Sequence, residues 1–331
     1  MAQAVRPRVI RWSPSVTLVP TRQCFNACGY CSFRVAPSVG DPRSEADWLG
    51  DQEAARQLAR RPQAAEVLLL SGEVAPDALQ RPRWFGRLVQ LSRLALQQGR
   101  LPHTNAGPLS RREMAVLARF NPSMGLMLEG LGPAYDRAHR HAPSKRLAQR
   151  LTQLEQAGRL GLPFTTGLLL GLGESQRQRL EALELLALVQ RQWGNLQEVI
   201  LQPWRPDGEQ ARPLSEAERA SLLETIAVAR AILPPPVHLQ LPPNLWPLTH
   251  LADALEAGID DLGGIDTGDV INPSYPQATP AALAGVVAAA GYRLLPRLCV
   301  HDAWIPWLPA RLRRAAERSR LLLQQAAASD C

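Results

Sequence analysis

The sequence predicts an α/β protein folded as a TIM-like (β/α) barrel with a C-terminal helical extension. Three observations carry that reading. Short apolar β-type runs alternate about eight times with longer helical stretches, which calls for parallel strands joined by crossover helices. The 331 residues suffice for one large barrel. Each glycine-rich or polar motif directly follows a strand, the position that becomes the C-terminal face of such a barrel, where active sites are built. A doubly wound open sheet is the competing arrangement, and it fits the count and length less well.

The elements follow in order. Residues 15–20 read as the first strand, and a cysteine-bearing loop follows. Residues 51–60 have a helical pattern. Residues 65–70 form a buried apolar strand ending in Ser71-Gly72-Glu73. Residues 84–98 are helical up to Gly99, and 102–105 form a short strand. Ser110 caps a helix reaching Phe120, with Glu113 as its capping-box partner. Residues 124–128 form a strand that ends in Glu129. A helix over 147–156 stops at Gly158, and a strand over 163–170 runs into Gly171-Leu-Gly173-Glu174. Residues 177–192 are helical and 198–202 extended. Ser215 caps a helix to Leu233, with Glu218 at the capping-box position. Strands over 237–241 and 260–265, a helix over 280–290 and an extended run over 292–300 come next. The last of these takes Cys299 into a buried strand, and 309–328 is a closing helix. The expected division is a tail (1–14), a barrel (15–302) and a C-terminal helix (303–331).

Composition narrows the setting. The chain is 46% hydrophobic, yet no apolar run approaches the length of a membrane span. The start, Met-Ala-Gln-Ala-Val-Arg-Pro-Arg, lacks the apolar core of a signal peptide. A cytoplasmic, reducing location is the expectation, and there clustered cysteines are metal ligands rather than disulfide partners. Cys331 reads as a tail thiol. The formal charge is +7. Lys145 is the only lysine, and the arginines are spread among Glu and Asp along the chain. That is a solvated arginine-biased surface, and it predicts neither a nucleic-acid nor a membrane partner.

Three of the five cysteines fall in the run Cys24-Phe-Asn-Ala-Cys28-Gly-Tyr-Cys31, a C-x3-C-x2-C spacing. A closed structural zinc site needs four ligands, and a cysteine-held four-iron cluster normally takes four. Three thiolates on a 4Fe–4S cluster leave one iron open, and an open position implies chemistry. The alternative is a zinc knuckle completed by a distant residue such as His301 or Cys299.

The cysteine run resembles the signature of the radical S-adenosylmethionine (SAM) superfamily, which lies on the loop after the first barrel strand. The resemblance implies a cluster held by Cys24, Cys28 and Cys31, its open iron chelated by the amino and carboxylate groups of exchangeable SAM. One electron then cleaves SAM to methionine and a 5′-deoxyadenosyl radical, which takes hydrogen from a substrate. Tyr30 and Phe33 would shield the cluster. Ser71-Gly72-Glu73 resembles the superfamily's GGE element, which holds the methionyl amino group; read on its own it is a strand-end turn. Gly167-x-Leu169-x-Gly171-x-x-Glu174 matches the G-x-I-x-G-x-x-E element, whose glycines admit the adenine while Leu169 packs beside it; read on its own it is a buried strand with a turn. Glu129 is placed for the ribose hydroxyls or, alternatively, is a half-buried salt-bridge acid.

A narrower resemblance runs from about residue 11 to about residue 305. Pro102-His-Thr-Asn105, Met124-Gly-Leu-Met-Leu-Glu129, Pro163-Phe-Thr-Thr-Gly167, Gln197-Glu-Val-Ile-Leu-Gln202, Pro242-Pro-Asn-Leu245 and Gly258-Ile-Asp-Asp-Leu-Gly-Gly264 are similar to the family of FO synthase first subunits. It implies that 5-amino-5-(4-hydroxybenzyl)-6-(D-ribitylimino)-5,6-dihydrouracil is closed to a deazaflavin with loss of ammonia. It also implies an electron donor such as ferredoxin or flavodoxin, and a sister subunit that makes the adduct. The run Ile265-Asp-Thr-Gly-Asp-Val-Ile-Asn-Pro273 departs from the family pattern, though Asp269 and Asn272 remain. Candidate substrate residues are His103, Asn105, Gln202, Asn244 and Asp266, with His103 the candidate for proton transfer because imidazole titrates near neutrality. The sister subunit itself, a futalosine-pathway enzyme of menaquinone synthesis, or a non-catalytic metal-binding protein are the other readings.

Overall fold

The structure, a computed structural model, describes residues 9–37 and 48–329. Residues 1–8 of the expected tail and Cys331 lie outside them. In chain order the elements are β1 (Val9–Leu18), α1 (Asp51–Ala59), β2 (Glu66–Leu70), α2 (Arg81–Gln97), β3 (Leu101–Asn105), α3 (Arg111–Leu117) and β4 (Ser123–Gly125). There follow α4 (Pro133–Ala138), α5 (Leu147–Arg159), β5 (Phe164–Leu170), α6 (Gln176–Trp193), β6 (Leu196–Pro203), α7 (Glu216–Ile232) and β7 (His238–Gln240). The chain ends with α8 (Leu251–Ala257), β8 (Asp261–Ile265), α9 (Pro280–Ala289), β9 (Arg293–Pro296) and α10 (Ala310–Ser329).

Strands β1 to β8 pair in parallel in sequence order, and β1 pairs with both β2 and β8, so the sheet closes on itself. This is the expected (β/α) barrel. β9 pairs with the first half of β1 outside that ring, Val9 opposite Arg293 and Trp12 opposite Pro296. All of β5 is buried, as a strand with helices on one side and a packed interior on the other must be. In β2, Val67 and Leu69 pack outward against Val16, Leu18, Leu58 and Leu91, while Glu66, Leu68 and Leu70 line the barrel interior. Below the strand N-termini, Leu298, Val300, Trp304, Ile305, Leu308 and Leu312 pack with Leu101 and close the barrel. The Cys299 carbonyl accepts bonds from Ser123 Oγ (2.7 Å) and Gln197 Nε2 (2.9 Å).

Several boundaries differ from expectation, each for a tertiary reason. β1 starts at Val9 rather than Ser15, because β9 and β8 give its first half partners. Gly158 does not stop α5; it is buried there, and a Cβ would stand 2.3 Å from Trp193 Cγ. The last extended run ends at Pro296, so Cys299 is buried in a loop and not in a strand. The chain leaves the sheet because Arg297 turns in to bond Asp261 and Glu198. α4 and α8 are short helices that the sequence pattern did not mark.

The capping boxes at Ser110 and Ser215 are both formed. Ser215→Ala should lower the free energy of unfolding by about 1 kcal/mol, read as a lower urea midpoint at unchanged m-value.

Candidate active site

The loop after β1 crosses the C-terminal end of the barrel. Its backbone is bonded on three sides. Cys24 N–H donates to Val35 O (3.0 Å), Phe25 N–H to Glu73 O (3.0 Å), Ala27 N–H to His141 O (2.7 Å) and Gly29 N–H to Ala138 O (2.8 Å). Cys24, Cys28 and Cys31 are half-buried free thiols. Among the described residues, Glu198, Asp261 and His301 are the trio whose potential ligand atoms lie within 4.8 Å of one another. Three soft thiol donors gathered on one loop suit an iron–sulfur centre. Cys299 and His301 do not complete a site here. Cys299 Sγ lies 3.7 Å from Leu101 O, and His301 stacks on His238 at 3.9 Å, both at the opposite end of the barrel. Burial pushes the Cys28 thiol up to about 11, with Lys145 opposing and Glu129 adding to the rise. Burial and then Glu73 raise Cys24. Metal ligation here must displace protons.

Two acids, Glu73 and Glu129, share the cavity beside the thiols with four cations, Arg34, Lys145, Arg150 and Arg205. Glu73 is buried at the end of β2. Its Oε1 accepts from Arg150 (3.0 Å), and its Oε2 accepts from Asn26 Nδ2 (2.9 Å) and from the Ser144 hydroxyl. Burial would raise its pKa, but Arg150 and Lys145 win and the net shift is downward. Gly72 has no alternative, since a Cβ would stand 2.1 Å from Gln23 O; a Cβ on Gly107 would stand 2.4 Å from Glu73 Cδ. The Ser71 hydroxyl donates to Gly72 O (2.8 Å) and accepts from Trp84 Nε1 (3.0 Å).

Glu129 is the non-glycine residue with positive φ (79°) among the described residues. That conformation costs a Glu on the order of 1–2 kcal/mol, and it is held by neighbouring backbone. Glu129 N–H donates to Gly167 O (3.1 Å), and its carbonyl accepts from Leu169 N–H (2.8 Å). The side chain accepts from Lys145 and from the Tyr30 hydroxyl (3.0 Å). Although burial opposes it, Lys145 and then Arg150 hold its pKa at about 2. Tyr30 Oη also lies 3.1 Å from His139 Nε2. Lys145, Arg150, Asn26 and Ser144 were not selected from the sequence. The one available signal was that Lys145 is the chain's sole lysine.

The glycine element after β5 divides. Leu169 lines the cavity, whereas Gly167, Gly171 and Glu174 lie off it. Gly167 gives room to β6, where a Cβ would stand 2.4 Å from Ile200 O. Glu174 turns back on its own loop, accepting from Gly171 N–H (2.7 Å) and Leu172 N–H (2.9 Å), and pairs with Arg179 (2.8 Å).

A second cavity of about 210 Å³ runs down the barrel interior and adjoins the first, of about 180 Å³. Leu70, Asn105, Met127, Gln202, Ile271 and Asn272 line both. All five candidate substrate residues line the second cavity. His103 Nδ1 lies 2.7 Å from Ser123 Oγ, whose proton goes to Cys299 O (2.7 Å). His103 is therefore the Nδ1–H donor in this pair, and Nε2 carries the lone pair. Burial lowers its pKa to about 4, so at neutral pH it is an acceptor and not an acid. Asp266 is committed to Thr17 N–H (2.9 Å) and Arg61 Nε (3.1 Å). Asn244 donates to Asp269 Oδ2 (2.9 Å). Asp269 Oδ1 also accepts from Ile271 N–H (2.8 Å) and Asn272 N–H (3.1 Å), so it folds this segment over the cavity.

The Radical SAM superfamily model matches residues 18–186, a span that contains the three-thiol loop, and the chain belongs to that superfamily. Solved structures agree on the fold. The FeFe-hydrogenase maturase HydG from Carboxydothermus hydrogenoformans superposes with a TM-score of 0.69 at 17% identity, over 96% of this chain and 78% of that one. Methylornithine synthase gives 0.62 at 14% identity, over 87% and 84%. Within the superfamily the chain belongs to the 7,8-didemethyl-8-hydroxy-5-deazariboflavin synthases. It is 49% identical to the protein of that name from Thermosynechococcus vestitus over 92% of this chain and 96% of the relative. To that from Synechococcus elongatus it is 48% identical, over 92% and 90%.

Glu129 yields a pH prediction. Its folded-state pKa, about 2, lies below the ordinary 4.5, so its contribution to stability is present above 4.5 and lost as pH falls toward 2. Lys145→Met should destabilise the protein most at neutral pH, with the gap to the parent narrowing on acidification as a proton neutralises Glu129 in both. Urea unfolding at a series of pH values checks this.

Proposed function

We propose that the chain closes 5-amino-5-(4-hydroxybenzyl)-6-(D-ribitylimino)-5,6-dihydrouracil to 7,8-didemethyl-8-hydroxy-5-deazariboflavin with release of ammonia. The observation that carries the reading is the pair of adjoining cavities, one beside three thiols and paired charges, the other deep in the barrel. Cys24, Cys28 and Cys31 would hold a 4Fe–4S cluster. Glu73 is the acid for the SAM amino group, Lys145 and Arg150 are the cations for its carboxylate, and Glu129 and Leu169 serve the nucleoside, with Ser71 and Gly72 shaping the strand end. Cluster and SAM together supply one-electron cleavage of SAM and hydrogen abstraction.

The chain's own residues position and enclose. Tyr30 donates to Glu129 and fixes its carboxylate. Met127 and Ile271 line the junction and exclude water there. Asn105 and Gln202, lining both cavities, orient the substrate rings, and His103 and Asn244 reach it from below and from the covering loop. Asp266 shapes the wall. Glu174 and Gly171 act by closing the loop after β5, and Gly167 by admitting β6. The unit that acts is the barrel over 15–302, with 303–331 as the segment that seals its far end. A carrier such as ferredoxin or flavodoxin supplies the electron, and the second FO synthase subunit supplies the adduct. No helix of the described residues is long and apolar enough to cross a membrane.

Anaerobically reconstituted protein, reduced and given SAM, should release 5′-deoxyadenosine and deazaflavin with the adduct, and neither with tyrosine alone. Cys28→Ala should abolish both iron–sulfur absorbance and product. Release with tyrosine alone would assign the sister reaction instead, and absence of any iron–sulfur absorbance would exclude the enzyme class.

A further inference from the structure

The closed end of the barrel holds chemistry that the cofactor site does not use. Glu66 opens β2 with its carboxyl turned into the cavity, and the residue is 5% exposed. Groups line the space around it from several strands: on β1 Ser13 and Ser15, the latter opposite Glu66 in register, His103 on β3, Glu198 on β6, Asp261 and Gly264 on β8, and Arg297 beyond β9. Three carboxyls thus share one guanidinium, and its bonds go elsewhere. Arg297 Nε and one terminal nitrogen donate to Asp261 (2.6 and 2.7 Å), the same terminal nitrogen to Glu198 (2.7 Å), and the other to Leu298 O (3.0 Å). The remaining Glu198 oxygen accepts from Thr165 Oγ1 (3.1 Å). Burial raises the Glu66 pKa, with Arg297 and the Ser13 hydroxyl opposing and Glu198 and Asp261 adding to the rise.

Two further features make this a place for a ligand. A Cβ on Gly264 would stand 3.0 Å from Ser15 Oγ, so the glycine gives room to the Ser15 hydroxyl beside Glu66. On the adjacent strand His103, itself 7% exposed, bonds Ser123 through Nδ1, and no described residue bonds Nε2. A protonated carboxyl donates and a neutral Nε2 accepts. Both line the same cavity, and a chain carrying several hydroxyl groups can satisfy each of them. The reacting rings belong at the junction marked by Asn105 and Gln202, nearest the thiols. The ribityl chain takes no part in ring closure and has the barrel interior to occupy.

Building on the function assigned above, we propose that Glu66 contacts the substrate: it carries its proton and donates a hydrogen bond to a hydroxyl of the polyhydroxylated chain at the closed end of the barrel, with His103 Nε2 as companion acceptor. Glu66→Gln keeps shape, neutrality and a donor; Glu66→Ala keeps none of these. In reconstituted full-length enzyme turning over the adduct, E66Q should hold KM within about threefold, whereas E66A should raise it by about tenfold, the effect of one buried hydrogen bond. A substrate lacking the terminal hydroxymethyl group should lose about tenfold with the parent enzyme and nothing further with E66A. Iron–sulfur absorbance verifies that each variant folds. The parent-minus-E66Q infrared difference should contain the carbonyl band of a protonated carboxyl. Equal damage from E66Q and E66A, equal loss on truncation in parent and E66A, or absence of the carbonyl band would each overturn the proposal. Failure of the parent to make deazaflavin would instead overturn the functional reading, with the infrared band still testing the proton on Glu66.

Discussion

The buried carboxylate of Glu73 is the joint on which the mouth of the barrel depends. It follows β2, receives Asn26 from the cysteine loop, and receives Ser144 and Arg150 from the segment that enters and forms α5. An unpaired carboxylate at this depth would cost several kcal/mol. Its partners are themselves buried, Arg150 at 1% exposure, so each group's desolvation is offset by the other's charge and neither can move alone. The Phe25 N–H bond to Glu73 O adds a backbone tie to the same point. The thiol loop is therefore positioned by tertiary contacts made around one acid, rather than by its own turn geometry.

The barrel separates two electrostatic regimes. At the open end, Glu73 and Glu129 pair with Lys145 and Arg150, Arg34 and Arg205 line the same cavity, and the pKa of each acid is held down. A zwitterionic sulfonium ligand can be received there by exchanging partners within existing pairs. At the closed end, Glu66, Glu198 and Asp261 outnumber Arg297, and burial raises the pKa of Glu66 and of Asp261. Between them Leu68 and Leu70 of β2, with Leu126 and Met127 just past β4, line the cavity wall.

Much of this was legible in sequence because it is local. Strand–helix alternation implied the closed parallel sheet, and the capping boxes at Ser110 and Ser215 were visible as spaced pairs. The C-x3-C-x2-C run marked the loop that proved to lie at the barrel mouth. What stayed hidden is tertiary. Lys145 and Arg150 sit in no motif, and their meaning arises when α5 packs beneath the cysteine loop. Gly158 looked like a helix stop because nothing nearby in sequence announces Trp193. Cys299 looked like a strand residue because the pull of Asp261 and Glu198 on Arg297 acts across the barrel. The G-x-L-x-G-x-x-E spacing was visible, yet part of it reflects loop closure, since Glu174 bonds Gly171 and Leu172 backbone. Glu66 was passed over within an apolar run, where a single charged residue was itself the signal.

If Cys24, Cys28 and Cys31 hold the cluster, one iron is left for SAM at the mouth of the substrate cavity. Electron–nuclear double resonance on the reduced, reconstituted protein with SAM labelled at its amino nitrogen and carboxylate oxygen tests it most directly. The account predicts strong coupling of both labels to the cluster, retained when the substrate cavity is altered at Glu66 and lost in Cys28→Ala. A cluster signal without coupling to either label would contradict it, because the fourth position would then belong to the protein.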